Sequence, residues 1–248
     1  YFDDYKKEEM EPRGWLPEQA AQSWEKGFMF LLSHIFQRGR SVKLSDTYYK
    51  YTVEVLELGK NQDFDQFYEK FHGGTFERLF IQKLKEEGVK PNPNDVKMVL
   101  SSIEHQKDLL SKYGKTVNLY THLHDLIFTQ PSQISQAYEE LKRIKYVKDK
   151  LAAFTIRDII LGEQAPKITF EQQEYEYAFP VDTWVRKKGW ELVTKYSEKT
   201  YLHKDPDLKR KLIQLCYDLG LVQQDPAAPL KLNVGLWWAG AKAKKEKQ

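Results

Sequence analysis

The sequence KRIKYVKDKLAAFTIRDIILG, residues 142–162, combines a run of basic side chains with an apolar helical pattern. Five of the nine residues 142–150 are basic and one is acidic, and apolar residues then recur with helical spacing. We therefore predict a helix over Asp149–Gly162 that follows directly on a cationic segment. A solvent-exposed helix face explains such a charge run equally well, so the segment by itself indicates no partner.

Helical periodicity continues over most of the remaining chain, and the predicted fold class is all-α. About ten helices are expected, arranged as two helical lobes with a cleft in a single domain over residues 1–248. Residues 1–13 and 242–248 are expected to be flexible tails. Only the segment KITF, residues 167–170, has a strand-like composition. Besides the helix already named, the predicted helices cover residues 17–37, 45–59, 64–71, 75–88, 96–113, 117–128, 131–144, 180–196, 205–220 and 230–241.

The composition is that of a folded protein rich in aromatic side chains. The chain has 39 basic and 36 acidic residues, a net charge of +3, which argues only weakly for a nucleic-acid partner. Six tryptophans and fifteen tyrosines supply core packing and, where exposed, flat faces for stacking. The single cysteine, Cys216, excludes an internal disulfide and a cysteine-ligated cluster or zinc site, and we expect it to be buried and unreactive.

The sequence lacks the motifs of the common metal and nucleotide sites. His122 and His124 lie two positions apart on a predicted helix and therefore point in different directions. Neither H-E-x-x-H, nor a phosphate-binding glycine loop, nor an EF-hand pattern occurs. We therefore expect no metal and no cofactor. No apolar stretch reaches transmembrane length and the start does not resemble a signal peptide, so we expect no membrane partner and an intracellular, cytoplasmic location.

Lys150 and Asp182 are the two side chains whose surroundings suggest chemistry. Lys150 precedes a run of apolar residues and follows Lys148, so desolvation and like-charge repulsion both favour its neutral, nucleophilic amine. An ordinary exposed helix lysine is the alternative. Asp182, in FPVDTWVRK, is suited to cap the helix that follows it. A capping carboxylate is rigidly held, and it could also assist a nucleophile or stabilise positive charge on a sugar ring.

Residues 141–186 resemble the helix-hairpin-helix DNA glycosylase superfamily, and most closely its archaeal branch that excises 8-oxoguanine. In that superfamily a lysine on the second hairpin helix is followed by an aspartate in a P-V-D turn, and Lys150 and Asp182 stand in those positions. The long insert between them, the block K-x-x-x-F-T-I-R and the late segment LKLNVGLWWAG (residues 230–240) are similar to the archaeal branch. The resemblance implies that Lys150 and Asp182 are the catalytic pair.

The same resemblance assigns the residues that contact the damaged base. Trp237 occupies the position of the base-contacting tryptophan, and Asn233 stands where the family has an aspartate that contacts the lesion. The segment LLSHIFQRGR is similar to the one that leads into the lesion pocket, so His34 and Gln37 are expected to face that pocket. An amide in place of a carboxylate leaves the identity of the lesion open.

The hairpin departs from the family pattern. The usual G-x-G turn, whose N–H groups hold a phosphate, is replaced by Tyr146, Val147 and Lys148, which makes the motif a degenerate helix-hairpin-helix. We expect the charges of Lys145 and Lys148, together with Arg186, to contact DNA.

The implied function is that of a bifunctional DNA glycosylase/AP lyase that flips 8-oxoguanine out of double-stranded DNA and acts through a Schiff base. The implied state is a nucleoid-associated monomer. Three alternatives stay open: a glycosylase for another damaged base, a non-catalytic helical DNA-binding module, and a helical protein–protein scaffold.

Overall fold

The computed structural model describes residues 2–114, 117–163, 170–196 and 205–245. Throughout these ranges the regular secondary structure is helical and no strand occurs, which confirms the predicted all-α class. Of the strand-like segment 167–170, only Phe170 is described, and it lies in neither a helix nor a strand. No helix in the described part of the chain is long and apolar enough to cross a bilayer.

The α-helices vary in length from one turn to more than five, and the chain also has a π-helical turn at Lys6–Met10 and a 3-10 helix at Glu174–Ala178. Helices α5 and α10 coincide with their predicted spans. The last helix reaches Lys245, so the predicted flexible tail over residues 242–248 is helical up to that residue, and its remainder lies outside the described residues. In chain order the α-helices are α1 (Phe2–Tyr5), α2 (Pro17–Ala20), α3 (Trp24–Ile35), α4 (Val42–Val55), α5 (Phe64–Phe71), α6 (Thr75–Glu86), α7 (Pro93–Tyr113), α8 (Leu119–Phe128), α9 (Ile134–Arg143), α10 (Asp149–Gly162), α11 (Thr183–Tyr196), α12 (Asp205–Asp218), α13 (Leu221–Gln224) and α14 (Ala228–Lys245).

Two serine caps move the starts of helices away from their predicted positions. The Ser23 side chain accepts a hydrogen bond from the Lys26 N–H at 3.3 Å, and the predicted helix over residues 17–37 is therefore split into α2 and α3. The Ser41 side chain accepts from the Leu44 N–H at 3.3 Å, so α4 begins before its predicted start. A serine oxygen at this position satisfies an N–H group that the first turn of a helix leaves unpaired.

The N-terminal segment is packed into the fold, and the expectation of a flexible N-terminal tail is wrong for residues 2–13. This segment contains α1 and the π-helical turn, and the side chains of Tyr5 and Met10 are buried. The Tyr5 hydroxyl donates a hydrogen bond to Asp158 Oδ2 on α10 at 2.7 Å. The sequence of the segment did not indicate this contact, because the partner of Tyr5 lies more than half the chain away.

Helix α10 lies within the core. It packs against α3, α8, α9, α14 and the 3-10 helix. From Leu151 to Gly162 its residues are buried, apart from Phe154, which is partly exposed. Most of these buried residues are apolar, and a helix that is covered on nearly all faces belongs in the interior of a fold. Its first turn, with Asp149 and Lys150, is the part that reaches the surface, so Lys150 stands on the end of a helix that the core holds in place.

A tight connection over residues 144–148 joins α9 to α10. Tyr146 has a φ of 69°, in the left-handed region that glycine adopts most easily, so the chain turns here as it would at a glycine. The Lys145 N–H donates to Ser101 Oγ on α7 at 3.0 Å. The guanidinium of Arg38 lies 5.6 Å from the centre of the Tyr146 ring. The connection is thus held by α7 on one side and by the segment after α3 on the other.

Candidate active site

Lys150 is the second residue of α10 and is partly buried at the edge of the core. Its Nζ donates to the main-chain oxygen of Gln37 at 3.4 Å, so the structure brings Gln37 to this lysine. Burial lowers the pKa of Lys150 because it penalises the ammonium form, while the negative charge of Asp182 acts in the opposite direction. The exposed Lys148, from which we expected repulsion, is not a cause of this shift. The amine of Lys150 is therefore closer to neutrality than that of a surface lysine.

Asp182 is the N-cap of α11, as predicted. Its Oδ1 accepts hydrogen bonds from the N–H groups of Trp184 at 2.9 Å and Val185 at 2.8 Å. Both bonds use the same oxygen, so the cap fixes the carboxylate and leaves Oδ2 outside these two bonds. The charge of Asp182 acts on both Lys150 and Arg157. Residues that lie far apart in the sequence therefore belong to one electrostatic site.

Phe154 is an aromatic side chain of this site, and in the sequence it stands out only as part of the K-x-x-x-F-T-I-R block. It follows Lys150 by four positions on α10, so the two side chains share a helix face. Its ring is partly exposed, and its centre lies 6.0 Å from that of Trp15 and 5.0 Å from that of His34. The guanidinium of Arg157 lies 4.5 Å from the centre of the Phe154 ring. The i, i+4 spacing from the lysine was the sequence signal that could have identified it.

Trp237 lies on α14, four positions after Asn233, and its ring is partly buried. The ring packs edge-on against Tyr5, with centroids 6.1 Å apart, and lies 5.9 Å from the ring of Trp238. Because residues four apart share a helix face, Trp237 lies on the same side of α14 as Asn233. Asn233 contacts the main chain just before Asp182, so this face of α14 borders the Asp182 turn.

His34 and Asn233 were both expected to contact the damaged base, and the structure corrects both expectations. The two side chains have no exposed surface. The Nδ1 of His34 lies 2.7 Å from the Phe30 main-chain oxygen, and its Nε2 lies 3.2 Å from Asp158 Oδ2. The Asn233 amide also has partners for both of its ends, described below. Interior hydrogen bonds therefore occupy the polar atoms that we expected to face a ligand.

A buried polar network joins Arg157 and Asp158 on α10 to three other parts of the chain. Arg157 donates to Asp158 Oδ1 at 2.7 Å, to the Tyr5 hydroxyl at 2.8 Å and to Asn233 Oδ1 at 3.0 Å. Burial by itself would raise the pKa of Asp158, but Arg157 and His34 together hold it below its usual value. The pKa of Arg157 is raised, because Asp158 and Tyr5 outweigh the effect of burial. Arg157 and Asp158 therefore form a buried ion pair, and Tyr5, His34 and Asn233 provide further hydrogen-bond partners for it.

The three residues expected to contact DNA are all exposed. Lys145 lies in the α9–α10 connection and Lys148 is the N-cap residue of α10. Arg186 lies in the first turn of α11, and its main-chain N–H donates to the main-chain oxygen of Asp182 at 2.8 Å. These cations therefore flank the two segments that carry Lys150 and Asp182. The N-termini of two helices add partial positive charge to the same region.

Other features of the described residues lie away from this site. Cys216 is buried, as predicted, and burial raises its pKa to about 11. Within the described ranges, no group of three or more His, Cys, Asp and Glu side chains is arranged to hold a metal ion. A cavity of about 220 Å³ lies between α7 and α9, and a wider one of about 600 Å³ lies between the 3-10 helix and α12. Lys150 and Asp182 line neither of these two cavities. The candidate site is therefore defined by its side chains and by the residues that surround them.

Comparison of the chain with protein-family models, with curated proteins and with solved structures finds no match. A functional interpretation therefore depends on the motifs and on the geometry around Lys150.

Proposed function

We propose that this chain is a bifunctional DNA glycosylase/AP lyase that acts on double-stranded DNA containing a damaged base. One observation carries the proposal: the Lys150 amine, with its pKa lowered by burial, stands at the exposed end of a core helix within the field of the Asp182 carboxylate. A neutral amine is a nucleophile, and a fixed carboxylate can stabilise positive charge that develops beside it. The alternative of an ordinary surface lysine accounts for neither feature.

The proposed reaction begins on a nucleotide that has been flipped out of the duplex, because its anomeric carbon is unreachable inside the base stack. The Lys150 amine forms a bond to C1′, and the bond from C1′ to the base breaks with its electron pair going to the base, which takes up a proton. Loss of an amine proton and opening of the sugar ring give a Schiff base. Removal of a C2′ proton then breaks the bond from C3′ to the 3′ phosphate, and water releases the lysine.

Asp182 supports this chemistry from a fixed position. Its Oδ1 is engaged by the α11 N–H groups, and its negative charge acts on Lys150. A carboxylate held in this way can stabilise the cationic sugar of the transition state without first having to reorient. It can also receive the proton that Lys150 loses when it attacks.

Exposed cations and aromatic rings around the pair suit a DNA partner. Lys145, Lys148 and Arg186 supply positive charge for phosphates on both flanking segments. Phe154 and Trp237 are each partly exposed, and aromatic faces are the usual stacking partners of an extruded base. The 8-oxoguanine specificity is proposed from the resemblance alone, since Asn233 and His34 are buried and would not read the lesion.

Borohydride trapping tests the proposal directly. The full chain is incubated with a duplex that carries a single 8-oxoguanine, and sodium borohydride reduces any Schiff base to a stable protein–DNA adduct. We expect an adduct with the wild-type chain and none with Lys150→Gln. Lys148→Gln is the matched control, because Lys148 is exposed and only two positions away; it should still form the adduct while binding DNA more weakly.

Each alternative predicts a different outcome. An adduct that persists in Lys150→Gln, or no adduct with any duplex, would contradict the proposal. An adduct only with a different lesion in a panel of damaged duplexes would identify another glycosylase. Salt-sensitive DNA binding without an adduct would indicate a DNA-binding module, and the absence of DNA binding would favour a protein scaffold.

A further inference from the structure

Asn233 is a buried side chain on α14 whose amide is used at both ends. Its Oδ1 accepts a hydrogen bond from Arg157 at 3.0 Å, and its Nδ2 donates to the main-chain oxygen of Pro180 at 2.8 Å. The orientation of the amide is set by this arrangement, because a guanidinium can only donate and a carbonyl can only accept. Because the side chain has no exposed surface and each end of its amide is engaged inside the protein, Asn233 is not available to a ligand at the surface.

The Pro180 oxygen is one of two anchors that fix the turn carrying Asp182. Pro180 is buried and its ring restricts the backbone, while two residues later Asp182 is fixed by the α11 N–H groups through Oδ1. Val181 is the single residue between these anchors. Loss of the Asn233 bond would therefore free the chain on the N-terminal side of Asp182 while leaving the cap itself in place.

The other end of the amide leads back to the helix of the nucleophile. Arg157 follows Lys150 by seven positions on α10, which is close to two full turns, so both side chains lie on one face of the helix. Asn233 thus links α10, which carries Lys150, to the turn that carries Asp182. The link consists of two side chains and two hydrogen bonds, of 3.0 Å and 2.8 Å.

We propose that Asn233 is a positioning residue, which sets the placement of the Asp182 carboxylate relative to Lys150 by holding the Pro180 carbonyl. This inference rests on the function proposed above and deepens it. It replaces the expectation that the residue at this position reads the lesion. Asn233 acts through the main chain and through Asp182, and it touches no reacting atom.

Two substitutions test the link. Asn233→Ser is neutral, and its shorter hydroxyl cannot span both Arg157 and the Pro180 oxygen. Asn233→Asp keeps the size of the side chain and can still accept from Arg157, but an ionised carboxylate cannot donate to Pro180. Because a misplacement of about 1 Å can cost about a hundredfold in rate, we expect both to slow single-turnover base release by about tenfold to a hundredfold, with the dissociation constant for DNA unchanged.

The pH profile supplies a readout that a general loss of stability would not move. Asp182 raises the pKa of Lys150 by its charge, so a displaced Asp182 raises it less. The acidic limb of the rate–pH profile, where Lys150 loses its proton, should therefore shift to lower pH in Asn233→Ser. Asn233→Asp adds a negative charge of its own, so only Asn233→Ser isolates the effect of a displaced Asp182 on the pH profile.

Asn118→Ser is the matched control. The buried Asn118 amide also donates to main-chain oxygens, those of Ala20 at 3.2 Å and Ser23 at 3.0 Å, on segments that carry neither Lys150 nor Asp182. We expect this variant to lose stability and yet to keep the wild-type rate and pH profile when assayed below its unfolding temperature.

The outcomes separate this inference from the proposed function. Wild-type rates in both folded Asn233 variants, with the wild-type chain still forming the borohydride adduct, would overturn the positioning role alone. A raised rate in Asn233→Asp, or weaker binding of the damaged duplex in Asn233→Ser, would instead restore the lesion-reading role. Failure of the wild-type chain to form any adduct would overturn the proposed function and this inference with it.

Discussion

Replacing Tyr5 by phenylalanine removes a single oxygen atom from the buried polar network. The ring, which packs edge-on against Trp237, is retained. The lost hydroxyl donates a hydrogen bond to Asp158 Oδ2 at 2.7 Å and accepts one from Arg157 at 2.8 Å. Two hydrogen bonds to charged partners are therefore broken inside the fold, and no surface water can replace them at a residue that is 2% exposed.

The expected cost follows from those two bonds. A hydrogen bond to a charged group contributes about 1.5–3 kcal/mol, and removal of one partner leaves the other without it. The lower end applies here, because Asp158 keeps its contacts with Arg157 and His34. We therefore expect Tyr5→Phe to lower the free energy of unfolding by about 3 kcal/mol. That is a large part of the roughly 5–15 kcal/mol that stabilises a typical protein.

Urea unfolding followed by tryptophan fluorescence measures this change. Tyr113→Phe is the control, because Tyr113 is 43% exposed and a surface substitution changes stability by no more than about 0.5 kcal/mol. If Tyr5→Phe were as stable as that control, the hydroxyl would not belong to a structured network. The N-terminal segment would then be the flexible tail that its sequence suggests.

Two further predictions concern stability. Burial lowers the pKa values of His105 and His122, so the unfolded chain binds protons more readily than the folded one as the pH falls through about 6.5. The urea midpoint should therefore decrease between pH 7.5 and pH 5, and His105→Gln should weaken this pH dependence. An unchanged pH dependence in His105→Gln would show that His105 does not contribute to it. On α14, a Cβ at Gly240 would lie 2.7 Å from the Trp184 Cβ, so Gly240→Ala should lower the free energy of unfolding by about 1–3 kcal/mol. A Cβ at Gly235 would have nothing within 4 Å, so Gly235→Ala should raise the free energy of unfolding by about 0.5–1 kcal/mol in the same urea assay. Equal effects at the two glycines would contradict the close approach of α14 to Trp184.

The sequence was sufficient to predict the features that depend on neighbouring residues. The all-α class and the spans of α5 and α10 follow from the spacing of apolar residues, which is a local property. The capping role of Asp182 follows from its place directly before a helical pattern. The burial that lowers the pKa of Lys150 was predicted from the apolar residues that follow it, although the repulsion expected from Lys148 plays no part.

The tertiary structure decided which polar side chains are available to a ligand. Tyr5 and Asp158 are 153 positions apart, and Arg157 and Asn233 are 76 apart, so no local pattern could indicate that they are partners. His34 and Asn233 have the chemistry of ligand-contacting residues, but a buried polar group needs a hydrogen-bond partner inside the protein. His34 pairs with Asp158, and Asn233 donates to the main-chain oxygen of Pro180. Residue type limits what a side chain can do, and only the packing of distant segments determines what it contacts.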